Sequence, residues 1–217
     1  METKQKTFTV SIPEGKKAVW NKQGILQLED DDKEANEPKD VTERIKTFFD
    51  ALSELEQRAE RGDCEARQLI DEYYSLDPEE ASLDLLAYLQ LRIIAAALNE
   101  GWEPQIDGWI WFPNFYLYTK KEIDEMSDDK KDENNLLLLV SSVDDGVLCG
   151  LKCLTDSCVY PSVCARFGYR LVYKTKKLAT YAGRQFVSEH ACFLLGGKVV
   201  DAIPWREYEQ MRKSSDK

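Results

Sequence analysis

Phe8, Val10 and Ile12 alternate with polar residues in TFTVSIP, the period of two that marks a half-buried strand, and Pro13 and Gly15 end the run. KKAVWN and ILQLE then flank Lys22, Gln23 and Gly24, a pattern that predicts a hairpin. Three short strands of this kind give a small antiparallel sheet over residues 1–30. The run EDDDKEANEPKD that follows is charged and has no period, so residues 31–39 are expected to be a linker. The remaining residues, 40–217, are expected to form the main domain.

Helical periodicity begins at Asp40, where Asp40 and Glu43 have the spacing of a capping box. Ile45, Phe48, Leu52, Leu55 and Ala59 recur on one helical face, and Gly62 and Asp63 interrupt them. A shorter helix is predicted from Glu65 to Tyr74. A third, started by Asp77 and Pro78, is predicted to run to Asn99 with Leu85, Leu86, Leu89, Ile93, Ala96 and Ala97 on a broad apolar face. Gly101 is a natural stop.

Gly101 to Tyr118 is the densest aromatic stretch, with Trp102, Trp109, Trp111, Phe115, Tyr116 and Tyr118 among its rings. Two readings compete for it. As core, these residues form strands laid against the third helix, with Trp109 or Trp111 over that helix. As a candidate binding surface, the same six rings would stack on a sugar or a protein partner.

Thr119 and Glu122 predict another capped helix, and the acidic run after it reads as a solvated loop, since its carboxylates lack the spacing of a calcium site. Leu136 to Val143 reads as a buried strand. The segment from Val147 to Gly168 has no clear period, and Tyr169 to Lys174 alternates as a strand. Thr175 opens a helix, residues 198–203 suggest a last short strand, and the closing residues are weakly helical. The predicted fold class is α+β: a small antiparallel sheet at the N-terminus, a helical middle, and C-terminal mixed strands with a packed helix.

Composition narrows the functions. Forty acidic and 29 basic residues give a net charge of -11, which disfavours nucleic acid and anionic lipid as partners. No run of apolar residues is long enough to span a membrane, and the first ten residues lack an apolar signal core, so the cytoplasm is the expected compartment. The charge is uneven. Residues 1–165 carry 18 basic and 35 acidic side chains, whereas 166–217 carry 11 and 5. That asymmetry suits head-to-tail contact between copies, or docking of the basic end on the acidic body.

Candidate chemistry is sparse. Cys149, Cys153, Cys158 and Cys164 crowd together, but at gaps that do not form the tight pairs of a zinc site, so neither a metal nor a cofactor is expected. The single histidine, His190, shares a helix with Cys192 but not a face. Glu79, Glu80 and Asp84 sit where acidic side chains complement a helix dipole, which needs no substrate. No phosphate-binding, dinucleotide-binding or hydrolase motif is present, and no catalytic residue is assigned.

IPEGKKAVW, DVTERIKTF, LRIIAAALNEGWEP, YLYTKKEIDEM and FGYRLVYKTKKLATYAGRQF, in that order, resemble an uncharacterised family recurrent in Bacteroides genomes, prophages and mobile elements. A weaker echo, SSVDDGVLCGLKC followed by FGYRL, is similar to C-type-lectin-like variable domains of phage proteins. The first resemblance implies a phage or mobile-element setting and carries no activity. The expected function is a non-enzymatic structural or interaction protein that self-associates or docks on larger phage proteins, cytoplasmic or virion-associated. The alternatives are a glycan- or peptide-binding module using residues 102–118 and loops 146–168, and an enzyme with an unrecognised site.

Overall fold

The structure, a computed structural model, describes residues 16–20, 26–30, 40–77, 79–105, 108–141, 146–159 and 169–215. The expected first strand, Phe8 to Ile12, and the expected linker, residues 31–39, lie outside the described residues. The chain divides into two compact units, residues 1–44 and 45–217.

In the smaller unit, β1 (Lys16–Trp20) and β2 (Leu26–Asp30) pair antiparallel, with Ala18 opposite Leu28. A single helical turn, α1 (Val41–Arg44), follows. Asp40 starts it by accepting from the Thr42 N–H and hydroxyl.

The larger unit begins with helices: α2 (Phe48–Glu60), α3 (Cys64–Tyr74) and α4 (Leu83–Asn99). The expected capping box at Asp40 and Glu43 lies seven residues before the one that starts the long helix. Thr47 and Asp50 form the box that starts α2, the Thr47 hydroxyl accepting from Asp50 N–H and the Asp50 carboxylate accepting from the Thr47 N–H. Asp63 caps α3 through Ala66 N–H. α4 starts at Leu83, later than the sequence predicts; Asp77 instead closes a separate turn, its carboxylate accepting from Glu79 N–H and its carbonyl from Ala81 N–H.

After α4 come β3 (Ile110–Tyr118), two short helices, α5 (Lys120–Glu125) and α6 (Asp128–Glu133), and strands β4 (Leu137–Ser141) and β5 (Val147–Val159). Then follow a 3-10 turn at Tyr169–Leu171, α7 (Lys176–Gln185), α8 (Val187–Leu194), β6 (Val199–Pro204) and α9 (Trp205–Ser215). The strands form one sheet in the order β3-β5-β4-β6, and every pairing is antiparallel.

This corrects the expected fold line. The fold is α+β, but α1–α4 all precede the first strand of the sheet on which the body is built, and its strands are antiparallel, not mixed. The segment read as aperiodic, from Val147, is the central strand β5. Both its faces are covered in its first half, where Gly150 and Leu151 are each buried, so no alternation survives in the sequence. Tyr169 to Lys174 is a 3-10 turn followed by one bridge, Tyr173 to Trp111. The acidic run read as a loop contains α6, capped by Ser127.

One sheet face carries Leu139, Cys149, Leu151 and Phe115 against Val187 and Ala191 of α8 and Leu195 just after it. The other carries Leu138 and Tyr118 against Ile123 of α5 and Trp205 of α9. Two glycines allow close approach. A Cβ on Gly150 would lie 2.9 Å from Leu136 Cδ1, and one on Gly183 of α7 would lie 2.8 Å from Pro113 Cβ. Behind α8 lies α4, which also contacts α2 and α3. Its buried Leu91, Ile93, Ile94 and Leu98 explain a helix apolar on more than one side.

The expectation that Trp109 or Trp111 forms the core over α4 is overturned. The intervening residues, Ile110 and Phe112, are 1% and 6% exposed and cluster with Val172, while Trp109 is 57% exposed and Trp111 half-buried. A period of two fixes only that the tryptophans share a face, not which face is inward.

Phe112→Ala should therefore cost about 3–5 kcal/mol in denaturant unfolding and Trp109→Ala no more than about 0.5 kcal/mol. Equal losses at both positions would contradict this register. Asn99→Ala should cost about 2–4 kcal/mol, since it strands the buried Val172 carbonyl and the part-buried Lys174 N–H that the Asn99 amide holds. A loss below about 0.5 kcal/mol would show that these groups find other partners.

Candidate functional site

The six candidate rings do not form one surface. Glu100 and Gly101, both in the left-handed region with φ of 51° and 79°, turn the chain at the end of α4 and carry Trp102 against Ile110, Phe112 and Val172. Trp109 projects just before β3. Trp111 is held by its backbone to Tyr173, at 3.1 and 2.7 Å, and the Lys176 ammonium lies 6.0 Å from its ring centroid.

A register shift between Phe112 and Asn114, at Pro113, then ends the run of buried even positions on β3. Beyond it Phe115 joins the α8 side, where its ring lies 5.2 Å from His190. Tyr116 and Tyr118 take the opposite face, their rings 4.7 Å apart. Tyr118 packs with Ile123, Leu138 and Trp205, whereas Tyr116 is 48% exposed and stands opposite Lys152. What remains outward is Trp109, just before this edge strand, and Tyr116 and Leu117 on it.

Among the described residues, His190 and three thiols are shielded, whereas Cys64 is exposed at the start of α3. His190 is buried, its Nε2 has no hydrogen-bond partner, and burial pulls its pKa down to about 4. It is neutral at pH 7. Burial pushes the thiols of Cys149, Cys153 and Cys192 up; Arg184 partly offsets this at Cys153, while Asp84 and Glu189 add to it at Cys192. All three stay protonated near neutrality. Cys192 donates weakly to Leu83 O at 3.5 Å, and its neighbour Glu189 is also pushed up by burial. The side chains of Cys158 and Cys164 lie outside the described residues. Among the described residues no three His, Cys, Asp or Glu side chains converge as metal ligands, and no helix is long and apolar enough to cross a membrane.

Sequence reasoning missed one constellation, at the C-terminal end. Asp132 of α6 accepts from Trp205 Nε1 at 3.0 Å and from Arg206 Nε at 2.8 Å, with a second contact to Arg206 Nη2. Arg206 and Lys131 lie over the Trp205 ring, 4.7 and 5.2 Å from its centroid. The arginine holds the Asp132 carboxyl below the ordinary carboxylate range. The uneven charge of the two chain segments was the signal for this contact.

Comparison with protein-family models, with curated proteins and with solved structures finds no match to this chain.

His190 generates a pH prediction. Its folded pKa, about 4, lies below the ordinary histidine value, so between those values the unfolded chain binds a proton that the folded one refuses. This contribution is complete above about pH 6.5 and is lost as pH falls toward 4, at up to about 1.4 kcal/mol per pH unit. Between pH 6.5 and 5 the wild type should lose about 2 kcal/mol relative to His190→Leu in urea unfolding. Glu189 titrates in both proteins and drops out of the difference. Parallel stability curves would show that His190 is protonated in the folded state.

Proposed function

We propose that this protein acts by binding, not by catalysis, as an interaction component of a phage or mobile genetic element that associates with itself or with larger proteins of that element. The observation that carries the reading is the contrast on the body of the fold. Trp109, just before the edge strand β3, and Tyr116 and Leu117 on it are outward, while the histidine is buried beside Phe115 and three thiols are held protonated. Rings on a sheet edge offer large contact area at small entropic cost, and edges are where another chain can add. The phage setting, with a cytoplasmic or virion-associated location, is supported by the sequence resemblance. A glycan or peptide is the second reading, because Trp109 and Tyr116 are also the ring types that stack on such ligands.

Sedimentation velocity over a wide concentration range tests the first reading. The wild type should show concentration-dependent association, and the double variant Trp109→Ser, Tyr116→Ser should sediment as a monomer with stability within about 1 kcal/mol of wild type. A wild type that stays monomeric throughout defeats self-association. Binding to a glycan array that the double variant loses would then favour the second reading.

A further inference from the structure

The turn that places Trp102 also closes a cavity. Trp102 N–H donates to Asn99 O at 3.0 Å, so the chain folds back over the last turn of α4. Between α2, α3, α4 and this turn lies a cleft of about 320 Å³, within the range of small-ligand pockets. Ala66, Ala95 and Ala96 line it with nothing larger than a methyl group, and Trp102 stands beside them.

Two arginines are sunk into the wall. Their side chains are only 17% (Arg58) and 16% (Arg92) exposed. Arg58 is locked in place: Nε and Nη2 donate to Asp63 Oδ2 at 3.0 and 2.6 Å, and Nη1 donates to Ala96 O at 3.0 Å. Arg92 is anchored to Glu72 through Nη1 alone and lies 5.8 Å from the Tyr88 ring centroid, which leaves most of its N–H groups for another acceptor. Arg170 enters from the 3-10 turn, touching the Tyr88 hydroxyl at 3.4 Å. Asp63 and Glu72, which hold the two sunken arginines, do not line the cleft. The carboxylates that do, Glu65 and Glu103, are exposed at its rim. Two guanidinium groups are thus sunk in the wall, while Arg170 stands exposed at the mouth with Glu65 and Glu103, and a bidentate anion that passes the rim meets Arg92 and Arg170.

We propose that this cleft binds a small organic anion with a flat apolar body, its carboxylate or phosphate on Arg92 and Arg170 and its flat part between Trp102 and the alanines. The site is separate from the β3 edge and does not depend on the function proposed above.

Titration calorimetry of the full chain tests it with benzoate, indole-3-carboxylate and uridine 5′-monophosphate, against benzamide and uridine as neutral counterparts. At least one anion should saturate with a Kd tighter than about 1 mM at low salt. Its neutral counterpart should bind at least about tenfold more weakly, and added salt should weaken the anion. The carboxylates and the nucleotide distinguish the two anion types. Arg170→Ala removes an exposed donor, and Ala96→Met fills the cleft. Each should weaken binding about tenfold or more while thermal unfolding shows the protein still folded. If no probe saturates below about 1 mM, or if both variants bind as well as wild type, the proposal is overturned.

Discussion

The body of this protein depends on how Asn99 holds the backbone on either side of Tyr173. The Asn99 side chain is buried at the end of α4; its Nδ2 donates to Val172 O at 2.7 Å and its Oδ1 accepts from Lys174 N–H at 3.0 Å. Tyr173 itself turns the other way and exchanges both backbone hydrogen bonds with Trp111 of β3. One residue thereby joins the helical half to the sheet. The Tyr173 ring is wholly buried and its hydroxyl finds no partner. An unpartnered buried hydroxyl costs on the order of 1–3 kcal/mol, so the join is maintained against a local penalty. The Tyr181 hydroxyl adds a second tie across the same region, donating to Ile45 O at 2.5 Å.

The charge asymmetry has a local use. Acidic α6 and the basic end of the chain meet at Asp132, where one carboxylate takes an indole N–H and a guanidinium together. Because Trp205 also fills the core beneath it, this contact combines apolar burial with charge. The pair is largely exposed, so its electrostatic share is screened by salt and the apolar share persists.

The aromatic segment divides for a geometric reason. An unbroken strand would put Trp111 and Phe115 on one face and Tyr116 and Tyr118 on the other. Pro113 supplies no N–H, the pairing with β5 shifts there, and the alternate burial that marks Ile110 and Phe112 ends. Trp102 is separated further by the left-handed turn at Glu100 and Gly101. Rings adjacent in sequence therefore reach a cleft, a core, and two faces of a sheet.

What the sequence determined by itself is the structure that depends on neighbours in the chain. The box at Thr119 and Glu122, the Thr175 cap, the apolar stripes of α2 and α4 and the stop after Asn99 are local, because their hydrogen bonds and spacing close within a turn or two. The β5 strand, the inward face of β3 and the grouping of Arg58, Arg92 and Arg170 around Trp102 were decided only by tertiary structure. A strand covered on both faces loses its alternation, a shared face does not say which side is the core, and arginines 34 and 78 positions apart are brought together by helix packing, not by any spacing along the chain.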